Sequence, residues 1–502
     1  PAGGPANLLI IGAGDTAEAV VREVERMPEE RYRVVGLLDD DRRTWGAQIR
    51  GIEVLGGTEQ VGEICRRFDV DEILIALPRA TRRELRRVVG LCEGTNVRFR
   101  TLPDVKELIA GRVRVHDLPE VNITDLLGRE EVSLDEASIA RFLKAKPVLV
   151  TGAGGSIGSE LCRQILRFAP AELVLLERAE NQLFQIEREL LRRVPPGYPL
   201  AAYLADVCDR RRLEQIFARH RPAVVFHAAA HKHVPMMERD PAEAVKNNIL
   251  GTKVVADAAR DHRCGKFVLI STDKAVRPAS IMGCTKRVAE MYVQQLSQLG
   301  PTQFVTVRFG NVLGSSGSVI PLFQEQIAAG GPVTVTHPQM MRYFMTIPEA
   351  CQLVMQAGAM GRGGEIFVLD MGEPVNILEL ARELITLSGL APGEDIEIVF
   401  TGIRPGEKLF EELSIEGEDV SRTAHPKIGI WKNRPESFQA VCRGIEQLLS
   451  LADAGDADRI RQHLKQLVPE YAPANSDTTG QPSPSPIAPG KPASGSTSQS
   501  PR

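Results

Sequence analysis

Short apolar runs alternate with polar stretches of helical period along most of the chain. Leu8-Leu9-Ile10-Ile11 predicts a buried strand, and Gly12-Ala13-Gly14-Asp15-Thr16-Ala17 turns from it into a helix predicted through Arg26. A second strand is predicted over residues 32–38, ending in Asp39-Asp40-Asp41, and a later one over 71–77, stopped by Pro78. Strand, turn, helix, strand predicts a parallel sheet with right-handed crossovers. The alternation restarts at Lys146 with Pro147-Val148-Leu149-Val150-Thr151. It continues through apolar runs at 173–176, 224–227, 267–271 and 304–309.

That repetition predicts an α/β protein of two tandem Rossmann-like units. Each is expected to be a doubly wound parallel sheet, the second extended by a smaller C-terminal substrate-binding part. The boundaries read as 1–128 for an N-terminal nucleotide-binding or regulatory domain, 129–145 for a polar, helix-leaning connector, and 146–435 for the catalytic unit. C-terminal helices are expected over 436–471. Residues 472–502 are mostly Ser, Pro, Thr, Gly and Gln. That composition cannot offset ordering entropy, so a disordered tail is expected.

Composition narrows the chemistry. Lys plus Arg number 61 against 65 Asp plus Glu, a net charge of −4, and aromatic residues make up 5% of the chain. With neither a basic surplus nor many stacking rings, nucleic acid is not an expected partner. Eight scattered cysteines without a C-x-x-C pair argue for a reducing compartment and against a zinc ribbon or disulfide framework. No run approaches the roughly 18 apolar residues of a membrane span, so a cytoplasmic chain is expected. Residue 1 is Pro rather than Met, which fits a processed start or a fragment.

Two glycine loops differ in weight. Gly152-x-x-Gly155-x-x-Gly158 follows an apolar strand and opens a helix, with Ser156 and Ile157 in its first turn. Glycines let the backbone turn and approach a pyrophosphate, and a helix N-terminus adds N–H groups and a favourable dipole. Glu177 ends the next strand, roughly twenty residues on, where a carboxylate would accept hydrogen bonds from an adenosine ribose. It would repel a 2′-phosphate, favouring NAD over NADP, and Arg178 beside it tempers that preference. The plainer alternative is a glycine turn without ligand. The first loop, Gly12-x-Gly14-x-x-Ala17 with Asp39 beyond it, suits tight packing as well as a nucleotide.

The chemistry concentrates in Ser271-Thr272-Asp273-Lys274, at the C-terminal end of an apolar strand, where open α/β sheets bind their ligands. In the helix that follows, Met282 and Lys286 stand at i and i+4, on one face. The segment resembles the extended short-chain dehydrogenase/reductase superfamily, in which a Tyr-x-x-x-Lys pair serves the nicotinamide. Met282 stands at the tyrosine position, and a thioether cannot transfer a proton. Ser-Thr-Asp-Lys-Ala followed by Met-Gly-x-Thr-Lys-Arg resembles the nucleotide-sugar 4,6-dehydratases of bacterial polysaccharide biosynthesis, more narrowly their long, retaining form. Further matching stretches are 227–235, 308–314, 342–346 and 402–408, and the resemblance spans about residues 7–412.

The resemblance implies a lyase that converts UDP-N-acetylglucosamine, or a related UDP-sugar, to UDP-2-acetamido-2,6-dideoxy-4-ketohexose. NAD would oxidise C4 to a ketone, which acidifies the C5 proton. A base would remove that proton, an acid would protonate the departing C6 hydroxyl, and the hydride would return to C6. Asp273 and Lys274 are the acid/base pair. Lys274 is assigned as base and Asp273 as acid, an order the residues leave open. Thr272 would hydrogen-bond O4 in place of the absent tyrosine, and Lys286 would hold the nicotinamide ribose. NAD would also meet Asp206, Val207, Ala228, Ala229, Lys232 and Asn247. The UDP-sugar would meet Asn311, Arg342, Arg404 and Glu407, arginine forks being suited to phosphates. A homo-oligomer is expected. Long members of the family usually carry membrane helices before the first domain, which implies a parent protein anchored at the cytoplasmic face of the inner membrane.

Plainer readings stand beside these. His227, His231 and His233 have no clustered cysteine or carboxylate in the sequence, so they fit a loop lining the cofactor and no metal is expected. An Asp-Lys pair at a strand end is commonly just solvated, and Met340-Met341 suits packing. Two rival functions remain. A UDP-sugar C4 epimerase would share the oxidation and omit the elimination. A non-catalytic scaffold sensing NAD or a nucleotide sugar is motivated by Met282 and by the duplicated fold.

Overall fold

The computed structural model describes residues 6–25, 32–77, 84, 87–88, 91–92, 95, 97–101, 134–315, 317–388, 390–413, 420–433 and 436–473. Arg26, Pro78, residues 129–133 of the expected connector and the expected tail beyond 473 lie outside them.

The first sheet contains β1 (Ala6–Ile11), β2 (Tyr32–Leu38), β3 (Gln48–Ile49), β4 (Ile52–Gly56), β5 (Glu72–Ile75) and β6 (Arg98–Thr101), in the order β3-β4-β2-β1-β5-β6. β1 lies inside it, parallel to β2 and β5. Leu8 and Ile10 pack on Val20, Val21 and Val24 of the helix Asp15–Glu25, while Leu9 and Ile11 pack on Val61, Ile64 and Cys65 of the helix Val61–Phe68. A strand covered on both faces has no polar side, which is why this run is continuously apolar.

The second unit opens with β7 (Pro147–Thr151), β8 (Glu172–Glu177), β9 (Leu200–Leu204), β10 (Val224–His227), β11 (Lys266–Thr272) and β12 (Gln303–Phe309). Short strands follow: β13 (Asn311–Val312), β14 (Val333–Val335), β15 (Met341–Arg342) and β16 (Phe344–Met345). Then come β17 (Ile366–Leu369), β18 (Val375–Asn376), β19 (Ile398–Phe400), β20 (Val420–Arg422) and β21 (Ile428–Trp431). Among the described residues the large sheet runs β20-β21-β17-β12-β11-β10-β7-β8-β9. It is parallel from β9 to β17, and β21 and β20 complete it antiparallel. The chain winds outward from β7 through β8 and β9, then returns to β10 on the other side. That reversal opens a crevice between β7 and β10.

Helices cover both faces. The helix Glu136–Leu143 sends Ile139, Phe142 and Leu143 into the core against Val148, Val150 and Phe226, so this part of the expected connector is structural cladding for the catalytic sheet. The helices Phe438–Asp453 and Ala457–Leu467 pack their Val441, Ile445, Leu448, Ile460 and Leu464 into the core shared with the helix Ile281–Leu296, which is buried along its whole length. A smaller core of Phe323, Val333, Val335, Leu380 and Ile385 lies in the segment that follows β12. Among the described residues no helix is long and apolar enough to cross a membrane.

Candidate active site

The turn after β7 is tightly built. Gly152 has φ +65°, and a Cβ on it would fall 2.8 Å from Ala229 N; one on Gly158 would fall 2.0 Å from Gly152 O. Gly155 is looser, its added Cβ 3.3 Å from the same carbonyl, and as N-cap it leaves the helix Ser156–Leu166 without a side-chain cap. Glu177 closes the turn from the end of β8. Its Oε2 accepts from Gly154 N at 3.1 Å, and its Oε1 accepts from Arg178 N at 2.8 Å and Ala179 N at 3.0 Å. Beside it, Arg178, Ala205, Asp206, Asp209 and Arg212 line an open cleft of about 640 Å3. Val207 is buried, and Ala228, anchored on Thr151 O at 3.2 Å, presses with Ala229 against Gly152.

The histidines part company. His227 is a buried strut between Thr151 Oγ1 (2.7 Å) and Thr252 Oγ1 (3.0 Å), rather than a loop residue. Burial, helped by the charge of Lys286, pushes its pKa down to about 3, so the ring is neutral. His231 Nε2 lies 3.0 Å from Glu243 Oε1 and 3.2 Å from Arg178 Nη2, a carboxylate neighbour that sequence distance concealed. Partial desolvation lowers the Lys232 ammonium. Asn247 is buried and donates to Asn248 Oδ1 at 3.1 Å. Asn248, which the sequence analysis passed over, accepts from His231 N at 2.8 Å and donates to Thr285 Oγ1 at 3.2 Å. It thereby ties the loop after β10 to the helix of Met282 and Lys286.

Thr272 is the last residue of β11, and its hydroxyl caps the single 3-10 turn Asp273–Ala275 that follows. Thr272 Oγ1 donates to Asp273 Oδ1 at 2.8 Å. The Asp273 side chain is fully buried, and its Oδ2 has no hydrogen-bond partner among the described residues. Lys274 Nζ donates to Asp273 Oδ1 and to Asn311 Oδ1, both at 3.1 Å, and stands 3.5 Å from Glu411 Oε1. Burial works to lower the Lys274 pKa, but the charges of Asp273 and Glu411 outweigh it and raise it. Lys286 Nζ donates to Ile270 O at 2.6 Å; burial pushes its ammonium down to about 8, with Glu290 opposing. Met282 is buried one turn ahead of it. The helix approaches so closely that a Cβ on Gly283 would lie 2.1 Å from Lys274 O.

Arg404 is exposed, with Nη2 donating to Glu407 Oε1 at 2.7 Å, while Glu407 Oε2 is buried and unpartnered among the described residues. Arg342 is already engaged with the backbone. Its Nη1 donates to Met341 O at 2.7 Å and Leu409 O at 3.2 Å, and its Nη2 donates to Lys408 O at 2.8 Å. Three of its five N–H groups thus bond carbonyls and pin residues 408–409 to β15. Glu411 was missed because nothing local distinguishes it from Glu412. Their side chains are 4% and 39% exposed.

A dinucleotide-type turn and a strand-end acid/base cluster around one sheet reversal define an enzyme of the extended short-chain dehydrogenase/reductase superfamily, of the kind that modifies nucleotide sugars. The chain is 48% identical over 422 residues to the capsular polysaccharide biosynthesis protein CapD of Staphylococcus aureus, spanning 84% of this chain and 70% of that protein. It is 48% identical over 446 residues to the probable polysaccharide biosynthesis protein EpsC of Bacillus subtilis, spanning 89% and 74%. The solved structure of Pen from Bacillus thuringiensis matches with a TM-score of 0.53 at 32% identity, over 59% of this chain and 89% of Pen. Residues 148–433 match the polysaccharide biosynthesis protein family, and the chain belongs to that family. Residues 4–103 match the pattern of a CoA-binding domain.

Proposed function

We propose that this enzyme is a retaining 4,6-dehydratase of a UDP-N-acetylhexosamine, converting UDP-N-acetylglucosamine to UDP-2-acetamido-2,6-dideoxy-4-ketohexose with NAD. The observation that carries the reading is the side-by-side placement of the Lys274 ammonium and the buried, unpartnered Oδ2 of Asp273, next to Thr272 and with methionine in place of tyrosine. Elimination needs an acceptor for the C5 proton and a donor for the C6 oxygen. This pair supplies both.

The residues around the glycine turn suit NAD. Gly152 and Gly158 hold the backbone where no side chain fits, and Glu177 offers a carboxylate to ribose hydroxyls that a 2′-phosphate would oppose. The cleft along Arg178 and Asp206 is roomy enough for an adenine. When bound, NAD supplies the acceptor for the C4 hydride and returns it to C6. Thr272 holds the sugar O4 and passes its proton toward Asp273, to which it is already bonded. Arg404 and Glu407 offer a guanidinium and a carboxylate to the UDP. For the first sheet we infer a nucleotide-binding or regulatory role. Gly12 turns with φ +114°, and Asp39 Oδ2 accepts from Ala13 N at 2.7 Å, as Glu177 does from Gly154 N. The CoA-binding pattern supports it.

Mass spectrometry after incubation with UDP-N-acetylglucosamine should show a product lighter by one water, and proton NMR a new methyl doublet. A C6 hydroxymethyl retained on an inverted sugar would make it an epimerase. Unchanged sugar in the presence of bound NAD would leave the scaffold.

Two further outcomes follow. Gly158→Ala should lower both the melting temperature and the NAD content of the purified protein, because its methyl would meet a backbone carbonyl at 2.0 Å, while Gly155→Ala, at 3.3 Å, should be milder. Equal effects would remove the steric argument. Turnover should fall as pH rises through about 8, where Lys286 loses its charge. Residual activity of Lys286→Arg should lack that alkaline limb, since guanidinium stays protonated.

A further inference from the structure

We infer that Glu411 is a positioning residue for the acid/base pair, a second carboxylate beside the Lys274 ammonium that couples it to the loop that carries Arg404 and Glu407. The inference rests on the proposed dehydration and adds to it a residue outside the Thr-Asp-Lys stretch.

Three groups face the Lys274 ammonium, and Arg342 stands behind one of them. Asp273 on its own turn and Asn311 on β13 each stand 3.1 Å from Nζ, Glu411 stands 3.5 Å away, and Arg342 on β15 brings Nε within 3.9 Å of the same Glu411 oxygen. An ammonium has three protons, and three oxygens from three chain segments surround it. A carboxylate buried with one oxygen unpartnered is costly, and such a cost is ordinarily relieved by hydrogen bonds. Glu290 in the same unit shows the relieved case, its carboxylate shared by Ser271 and Arg308. Glu411 Oε2 has no such partner among the described residues, and Arg342 gives three of its N–H groups to carbonyls.

The electrostatics agree with the geometry. Burial and Arg342 push the ammonium toward deprotonation, while Asp273 and Glu411 hold it charged. A charged Lys274 can give a proton to the departing C6 oxygen. Before it can accept the C5 proton it must first hand its own to a neighbour, and the second carboxylate sets how readily it does so. Arg342 also bonds residues 408–409, so one side chain links the loop offered to UDP with the carboxylate beside Lys274.

The test compares Glu411→Gln with the unmodified protein. Glutamine keeps the size and an oxygen toward Nζ but drops the charge. Acetylation of Lys274 by acetic anhydride, followed by peptide mass spectrometry across pH without any sugar, should show the midpoint moving to lower pH. At a fixed pH below the midpoint, labelling should run about 3- to 10-fold faster, a shift of half to one unit. Should Glu411→Gln fail to fold, Glu411→Asp, which keeps the charge but withdraws it, should shift the midpoint in the same direction by less. An unmoved midpoint in a folded variant overturns the inference. Failure of the unmodified protein to dehydrate the sugar would instead sink the proposed reaction, and the labelling midpoint would still decide the role of Glu411.

Discussion

Asp273→Asn is expected to slow water loss by roughly 10²- to 10⁴-fold, the usual worth of a positioned general acid or base. The substitution is nearly isosteric. Asparagine can keep an oxygen where Oδ1 accepts from Thr272 and Lys274, so the strand end retains its geometry. What it loses is the ability to take up or release a proton at Oδ2, the buried oxygen that no other described residue engages. Bound NAD should be retained, because the glycine turn is held by Gly152, Gly158 and Glu177, none of which touches Asp273. Lys274→Ala should give the same pattern. Progress curves by NMR and cofactor content by absorbance after denaturation would check both quantities. Normal turnover by either variant would remove that residue from the chemistry while leaving family membership untouched.

Glu290→Gln is expected to cost about 3–5 kcal/mol of stability, the range for removing one partner of a buried ion pair. Glu290 is fully buried. Its Oε1 accepts from Ser271 Oγ at 2.6 Å and Arg308 Nε at 2.8 Å, and its Oε2 accepts from Arg308 Nη2 at 2.6 Å. Arg308 and Arg287 both stack on Trp431, at 4.3 and 4.7 Å from the ring centroid. Without the carboxylate, Arg308 is a buried cation with no counter-charge. The damage would reach the site, because Ser271 immediately precedes Thr272 on β11. It would reach residues 470–472 too, since Arg287 bonds Glu470 at 3.1 Å and Ala472 N donates to Pro278 O at 3.0 Å. Burial alone would raise the Glu290 carboxyl, but the arginines and Ser271 hold it below its ordinary value. A depressed carboxyl contributes stability at neutral pH and loses it as pH falls from the ordinary carboxylate range through the folded-state value. Denaturant melts should therefore show the deficit of Glu290→Gln shrinking on acidification. A deficit below about 1 kcal/mol at neutral pH would contradict the uncompensated-charge argument. Replacing the pair together, as Glu290→Leu with Arg308→Met, should recover part of the loss.

Much of this protein is legible in short stretches of chain. The continuous apolar runs at 8–11 and 147–151 announce strands covered on both faces, because burial on two sides removes the alternation that one wet face would impose. The glycine spacing at 152–158, the acidic end of β8 and the Thr-Asp-Lys end of β11 are equally local. Backbone sterics and the position of a residue at a strand terminus define them. Met282 tells from type alone that the tyrosine position of the Tyr-x-x-x-Lys pair holds no phenol.

Other features depend on partners distant in the chain. Gly158 matters more than Gly155 because of where the Gly152 carbonyl lands, and no spacing rule contains that distance. Arg342 fastens residues 408–409 because three backbone carbonyls lie within reach of its fork. Of two adjacent glutamates, Glu411 faces Lys274 while Glu412 faces Lys408, a choice made by the path of residues 408–413. Periodicity and turn chemistry thus determined the sheets and the strand-end trio, because both act within a few residues. Burial, counter-charge and the spending of each donor were decided only by tertiary packing, because desolvation depends on everything that surrounds a group in space.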